Sequence, residues 1–279
     1  METAKTLFIS DLDGTLMNSE ARVSDKSAEL LNKIIDKGCL FTAATARTAA
    51  TAVPILSGIN INVPVILMNG VCIYDIEKSR YVNIEQIDET SCRQLFGVLK
   101  DFHLSGFVFS ITGNVLMTFY ENVDSPNAKK FVEERTRKFG KVFTHTDNFC
   151  SCIEQGVIYY SVTDTKEILD PVYDAIKGVD GIHIDYYRDI YDENYWYLEI
   201  SSQHASKYNA VMYLRKMLQV SCVYGFGDNF NDIPLFRACD ACFAVKNAKP
   251  EICKLACEVI DSNNEDAVAR KITDMVKDE

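Results

Sequence analysis

Nowhere in the sequence does an apolar run approach the roughly 18 residues that a membrane-spanning helix needs. A helical membrane span is excluded on that ground. Only Met1-Glu2-Thr3-Ala4-Lys5 precedes the first apolar strand, too little for a secretory signal peptide, so a cytoplasmic protein is expected. Positive charge is short: 29 Lys and Arg face 40 Asp and Glu, giving a net charge of -11 and a pI near 4.9. That deficit argues against a general binder of nucleic acid or of an anionic membrane, and no protein partner is implied. A bound Mg²⁺ is easy to accommodate, whereas an anionic substrate needs locally placed cations. No His-x-His or second Cys-x-x-Cys accompanies Cys239-x-x-Cys242, and Cys150-x-Cys152 is a poor second half of a zinc site. The ten cysteines therefore read as reduced thiols acting as small hydrophobes. No internal repeat and no low-complexity linker occurs. What remains is the composition of a soluble globular chain, 47% apolar and 25% charged over 279 residues, long enough for one large or two ordinary domains.

The most informative stretch is Asp11-Leu12-Asp13-Gly14-Thr15, at the end of the apolar run Thr6-Leu7-Phe8-Ile9. Side chains alternate along a strand, so the two carboxylates are expected to point the same way. Gly14 and Thr15 let the backbone turn sharply and leave amides near those acids. Two close carboxylates repel unless a cation lies between them or one is protonated. A second acidic strand end, Gly227-Asp228-Asn229-Phe230-Asn231-Asp232, follows Cys222-Val223-Tyr224-Gly225-Phe226. Two such ends in one alternating chain suggest a divalent metal site.

The opening third reads as strand, helix, strand, helix, strand. Leu7 to Ile9, Cys39 to Ala44 and Val65 to Met68 are the strands; Ala28 to Ile35 and a weaker segment with Val53 and Leu56 are the helices. This alternation predicts βαβ units and a parallel sheet. Asn69-Gly70 opens an expected hairpin, Val71 to Asp75 with Arg80 to Ile84. From about residue 86 the texture becomes α+β, with Gly113-Asn114 as a hairpin turn. The helix from Ser206 to Leu218 restores the opening style and leads to further short strands. The expected organisation is a discontinuous α/β core, residues 1–85 plus 191–279, with an α+β cap domain inserted at 86–190.

In an open α/β sheet, ligands sit beyond the carboxyl ends of the strands. Asp11 and Asp13, Thr45-Ala46-Arg47, Asn69-Gly70 and Asp228 to Asp232 all fall at such ends, and Lys207 adds a cation. Hard Mg²⁺ prefers oxygen ligands, so carboxylates plus a substrate phosphate make a sensible sphere. Phosphoryl transfer needs in-line positioning and charge neutralisation, which metal, Lys and amides supply. A carboxylate nucleophile can carry the phosphoryl group, and a second acid nearby can protonate the leaving oxygen.

Asp11-Leu12-Asp13-Gly14-Thr15-Leu16, Thr45-x-Arg47, Lys207 and Gly227-Asp228-x-x-Asn231-Asp232 together resemble the motif set of the haloacid dehalogenase superfamily. Asn69-Gly70, the size of the insert and the tail from Asn247-Ala248 to Ile272 resemble its Cof-type sugar-phosphatase branch. The resemblance implies a Rossmann-like core with a cap, and a Mg²⁺-dependent phosphatase acting on a small phosphorylated metabolite such as a sugar phosphate. It implies Asp11 as nucleophile, forming an aspartyl-phosphate, and Asp13 as general acid/base. Mg²⁺ is then held by the Asp11 carboxylate, the Asp13 backbone carbonyl and Asp228. Thr45, Lys207 and Asn231 are implied at the phosphoryl group with the Gly14 turn, Asp232 in support of the metal shell or Lys207, and Arg47 and Asn69 as phosphate or substrate contacts. The cap is expected to exclude water and read the leaving group. Ala46 and Tyr208 stand where the family usually has Gly, and Ala267 where its tail often does. Tyr208 is expected to pack over the site.

Taken singly, Thr45 reads as a strand residue, and Lys207 and Arg47 as solvated charges; only the set gives them roles. His204 reads as exposed or hydrogen-bonded rather than catalytic, and Tyr191, Tyr195, Trp196 and Tyr197 as strand packing rather than a substrate cleft. Two rivals use the same residues: a phosphomutase or phosphotransferase passing the group to a sugar, and a phospho-receiver or phosphate-sensing module without turnover.

Overall fold

Strand β1 (Thr6–Ser10) is apolar without alternation because both of its faces are covered: Leu7 and Ile9 are fully buried and Phe8 nearly so. In the computed structural model, which describes residues 5–189 and 192–277, it is followed by α1 (Asp25–Ile35), β2 (Leu40–Ala43), α2 (Ala49–Leu56) and β3 (Val65–Leu67). The expectations placed on Met1 to Ala4 and on Tyr191 lie outside the described residues. Ser24 caps α1 by accepting from the Ser27 amide, and Leu31, Ile34 and Ile35 bury one face of it.

β3 departs from the expected third parallel strand. It meets β2's end through a parallel bridge between Ala44 and Ile66, then doubles back into antiparallel β4 (Cys72–Asp75), which leads to β5 (Arg80–Ile84). The reversal runs through Met68, Asn69 and Gly70, all at positive φ (50°, 53° and 101°), a left-handed run that ends the strand.

The inserted unit follows: α3 (Glu89–Leu99), β6 (Phe107–Thr112), β7 (Val115–Tyr120), α4 (Pro126–Phe139), β8 (Thr144–His145), β9 (Val157–Thr165), α5 (Lys166–Ile176), β10 (Ile182–Arg188) and β11 (Tyr195–Ser202). Among the described residues its strands make a six-stranded sheet in the order β10-β11-β9-β6-β7-β8. Leu95, Val108, Tyr160, Leu169, Val172 and Leu198 are central to its apolar core.

The chain then runs through α6 (Lys207–Leu218), β12 (Cys222–Gly227), α7 (Ile233–Ala238), β13 (Ala241–Val245), α8 (Pro250–Leu255), β14 (Glu258–Ile260) and α9 (Ala267–Lys277). These strands join the first two in a five-stranded parallel sheet, β14-β13-β12-β1-β2, so the α/β core is assembled from both ends of the sequence. Residues 1–83 with 206–279 form one compact unit and 84–205 the other. The expected boundary at 190/191 is therefore corrected. Residues 192–205 go with the insert because β11 is zipped antiparallel between β9 and β10, with Leu198 opposite Val162 and Tyr186.

Candidate active site

The sheet register explains how residues more than two hundred positions apart become neighbours. Ser10 pairs with Phe226, and the Asp11 amide donates to the Phe226 carbonyl at 2.9 Å. Adjacent strands lie about 4.8 Å apart, so the acids just beyond each strand, Asp11 and Asp228, meet at one rim. A short turn over Phe230–Asp232 brings in a third. One carboxylate oxygen from each of Asp11, Asp228 and Asp232 lies within 4.8 Å of the others.

Lys207 is the first residue of α6, whose cap Ser206 accepts from the Asn209 amide at 3.0 Å. Its ammonium is fully buried and donates to Asp11 Oδ1 at 2.6 Å and Asp232 Oδ1 at 2.7 Å. A side chain at Gly70 would collide with the Ser206 carbonyl, so the β3–β4 turn rests directly on the start of α6 and fixes where Lys207 emerges. Asp232 Oδ2 accepts from the amides of Asp228 (2.9 Å) and Asn229 (3.1 Å). Both of its oxygens are thus committed to holding Lys207 and the Asp228 loop.

The Leu12–Leu16 turn supplies the other wall. Gly14 sits at φ +78°, and a Cβ there would lie 2.5 Å from Asp228 Oδ2, so only glycine lets the turn approach that acid. The Thr15 hydroxyl donates to Asp228 Oδ1 at 3.1 Å. The Gly14 carbonyl accepts from Asn247 Nδ2 at 2.8 Å, and Asn247 Oδ1 accepts from the Asn263 amide at 3.0 Å. Sequence reasoning gave no role to Thr15's hydroxyl or to Asn247. Both lie within motifs it quoted, but nothing in one sequence distinguishes a strap from a surface amide.

Three carboxylates against one ammonium leave negative charge in a buried place. Burial pushes the Asp11 carboxyl well above the usual range, the Asp232 charge adds to this, and Lys207 opposes it. Burial likewise pushes Asp228 up to about 6, with Asp232 contributing and the Thr15 hydrogen bond opposing. For Lys207, burial works against the charge, yet Asp11 and Asp232 hold its ammonium above the usual lysine range. An all-oxygen donor set with surplus negative charge fits a hard divalent cation. Asp11 and Asp228 are the carboxylates suited to hold it, with Asp232 already engaged.

The remaining expected residues divide. Thr45 is buried; its hydroxyl accepts from the Arg47 amide at 3.2 Å, and its carbonyl accepts from the Asn69 amide at 3.0 Å. Asn231 Nδ2 donates to Asn69 Oδ1 at 3.3 Å. Asp11 and Asp13, expected to point the same way, hold different partners beyond the strand, which ends at Ser10. Asp11 is bound to Lys207, whereas Asp13, 53% exposed, is gripped by Arg47 through Nε–Oδ2 (2.7 Å) and Nη2–Oδ1 (2.5 Å).

Ala46 is exposed, Tyr208 is 40% exposed, and Ala267 is buried at the start of α9. His204 is exposed in the inserted unit, its ring 3.4 Å from the Gln203 amide. Trp196 packs on Tyr186 and Tyr197 on Tyr187, which is strand packing. All ten cysteines are free thiols, and among the described residues none joins a cluster able to hold a metal.

A family model described as haloacid dehalogenase-like hydrolase matches residues 8–272. The chain is 22% identical over 275 residues to a pyridoxal phosphate phosphatase of Escherichia coli, covering 94% of this chain and 95% of that one. It is 23% identical over 284 residues to a 5-amino-6-(5-phospho-D-ribitylamino)uracil phosphatase of Bacillus subtilis, covering 93% and 94%. The solved structure of a subclass IIB sugar phosphatase superposes with a TM-score of 0.72 at 18% identity, over 98% of this chain and 99% of that one, a likeness of fold. The chain belongs to the haloacid dehalogenase-like hydrolases and is a phosphatase of that family.

Proposed function

We propose that this phosphatase hydrolyses a phosphomonoester of a small metabolite, with a sugar phosphate as the first class to test, through an aspartyl-phosphate on Asp11. The observation that carries the reading is the buried Asp11–Lys207–Asp232 bridge with Asp228 beside it. Lys207 orients Asp11 for attack, works against the rise in its pKa and, with Thr45 and Asn231, neutralises and positions the phosphoryl group. Mg²⁺, held by Asp11, Asp228 and the Asp13 backbone carbonyl, would supply charge neutralisation at the phosphoryl oxygens. Asp13 gives a proton to the leaving oxygen and then takes one from the water that frees Asp11. Gly14, Arg47 and Asn69 line the same rim. The free thiols support a reducing, cytoplasmic setting.

The decisive experiment compares wild type with Asp11→Asn on an aryl phosphate and a panel of sugar phosphates, with and without Mg²⁺. Expected is Mg²⁺-dependent release of inorganic phosphate by the wild type and its loss in the variant with the fold intact. Turnover retained in Asp11→Asn would remove Asp11 from the nucleophile's role. Isomerised sugar phosphate in place of free phosphate would turn the reading to a mutase.

A further inference from the structure

The fork between Arg47 and Asp13 takes no part in the bridge that joins Asp11, Lys207 and Asp232. We propose that Arg47 is a positioning residue that acts through Asp13, setting the plane of the carboxyl group that moves the proton; this rests on the phosphatase mechanism proposed above.

Three observations carry it. Both Asp13 oxygens are engaged at once, by Nε at 2.7 Å and Nη2 at 2.5 Å, which fixes orientation as a single contact does not. The side chains are 29% and 53% exposed, so the pair adds little to stability and its effect is on geometry. The backbone of Arg47 is pinned on both sides, its amide donating to the buried Thr45 hydroxyl at 3.2 Å and its carbonyl accepting from the Met68 amide at 3.1 Å. The guanidinium is therefore aimed from a fixed point. The fork is closed on Asp13.

The chemistry makes the role measurable. In the first half-reaction an Asp11 carboxylate oxygen bonds to phosphorus. The bond from phosphorus to the leaving oxygen breaks, and that oxygen takes the proton from Asp13. In the second, water bonds to phosphorus and gives its proton to Asp13, and the bond to Asp11 breaks. A nitrophenolate leaves without a proton, whereas an alkoxide does not.

The test is kcat/KM, which reports the first half-reaction, for Arg47→Ala and Arg47→Lys on dinitrophenyl phosphate and on an alkyl phosphate. Arg47→Ala is expected to lose about 100-fold on the alkyl phosphate and less than about 3-fold on the dinitrophenyl ester, with the one-point Lys variant between. Adding Arg47→Ala to Asp13→Ala is expected to cost nothing further. Affinity of the Mg²⁺-loaded protein for inorganic phosphate, by calorimetry, stays within about 3-fold, and the melting temperature within about 4 °C. An equal loss on both esters, or a matching loss of phosphate affinity, overturns the proposal and puts Arg47 on the phosphate. Turnover surviving in Asp11→Asn overturns the underlying mechanism instead, so the two failures are separable.

Discussion

Lys207 and Asp232 form an ion pair with neither side chain exposed, Nζ to Oδ1 2.7 Å. Removing one partner strands the other charge away from water, which costs about 3–5 kcal/mol. Lys207→Met is expected to lose that much at pH 8, leaving Asp11 and Asp232 facing each other without a cation. Part of the loss should return toward pH 5, where a proton can replace the ammonium. Urea unfolding at the two pH values measures this. A loss under about 1 kcal/mol would mean that solvent reaches the pair.

Burial pushes the Asp228 carboxyl from the ordinary 3.8 up to about 6, so in the absence of a cation it favours the protonated form. A carboxyl whose pKa is raised by folding contributes stability below its unfolded value and loses it as pH rises through the folded one. The window here runs from about 4 to about 6, with Asp11 acting in the same direction. A divalent cation competes with that proton. Mg²⁺ should therefore raise the melting temperature more at pH 8 than at pH 5, and the gain should largely vanish in Asp228→Asn. Equal gains at both pH values would contradict the assignment.

Gly14→Ala combines a left-handed backbone angle of φ +78° with a methyl placed 2.5 Å from Asp228 Oδ2. The strain is about 1–3 kcal/mol. Relief requires Asp228 to move, so calorimetric Mg²⁺ affinity should fall by at least about 10-fold. Wild-type affinity in this variant would show that Asp228 does not need its present position.

Asn247→Ala separates geometry from stability. Asn247 is exposed and joins the Gly14 carbonyl to the Asn263 amide, so its loss should cost no more than about 1 kcal/mol. Supports one step removed from a metal site still change activity by about 10–100-fold. Steady-state kcat/KM on an aryl phosphate should fall within that range while the melting temperature barely moves. A large drop in melting temperature with normal kcat/KM would make Asn247 purely structural.

Much of the core was legible because its cues are local. Unbroken apolar runs mark β1 and β12, the helical spacing of Leu31, Ile34 and Ile35 marks α1, and acids directly after strands mark the rim. The misplaced features depend on pairing partners. Val65–Leu67 has the composition of a parallel strand, and only the left-handed angles of Met68 to Gly70 send it into a hairpin. Tyr195–Ser202 looks equally at home in either unit until its register with β9 and β10 is known. In the site, the charges and their spacing were readable. That Asp13 and Asp11 would part, one to Arg47 and one to Lys207, was not, since that choice is made by a turn whose shape depends on Gly14 lying against Asp228.

Because β12 is laid beside β1 only after the whole inserted unit has been synthesised, a nascent chain holds Asp11 long before Lys207, Asp228 or Asp232 exists. Until then β1 has one open edge, and its acid has no ammonium to lean on. The cluster of Asp11, Lys207, Asp228 and Asp232 is thus completed late in translation, and a product truncated before Cys222 would retain the first acid while lacking Asp228 and Asp232.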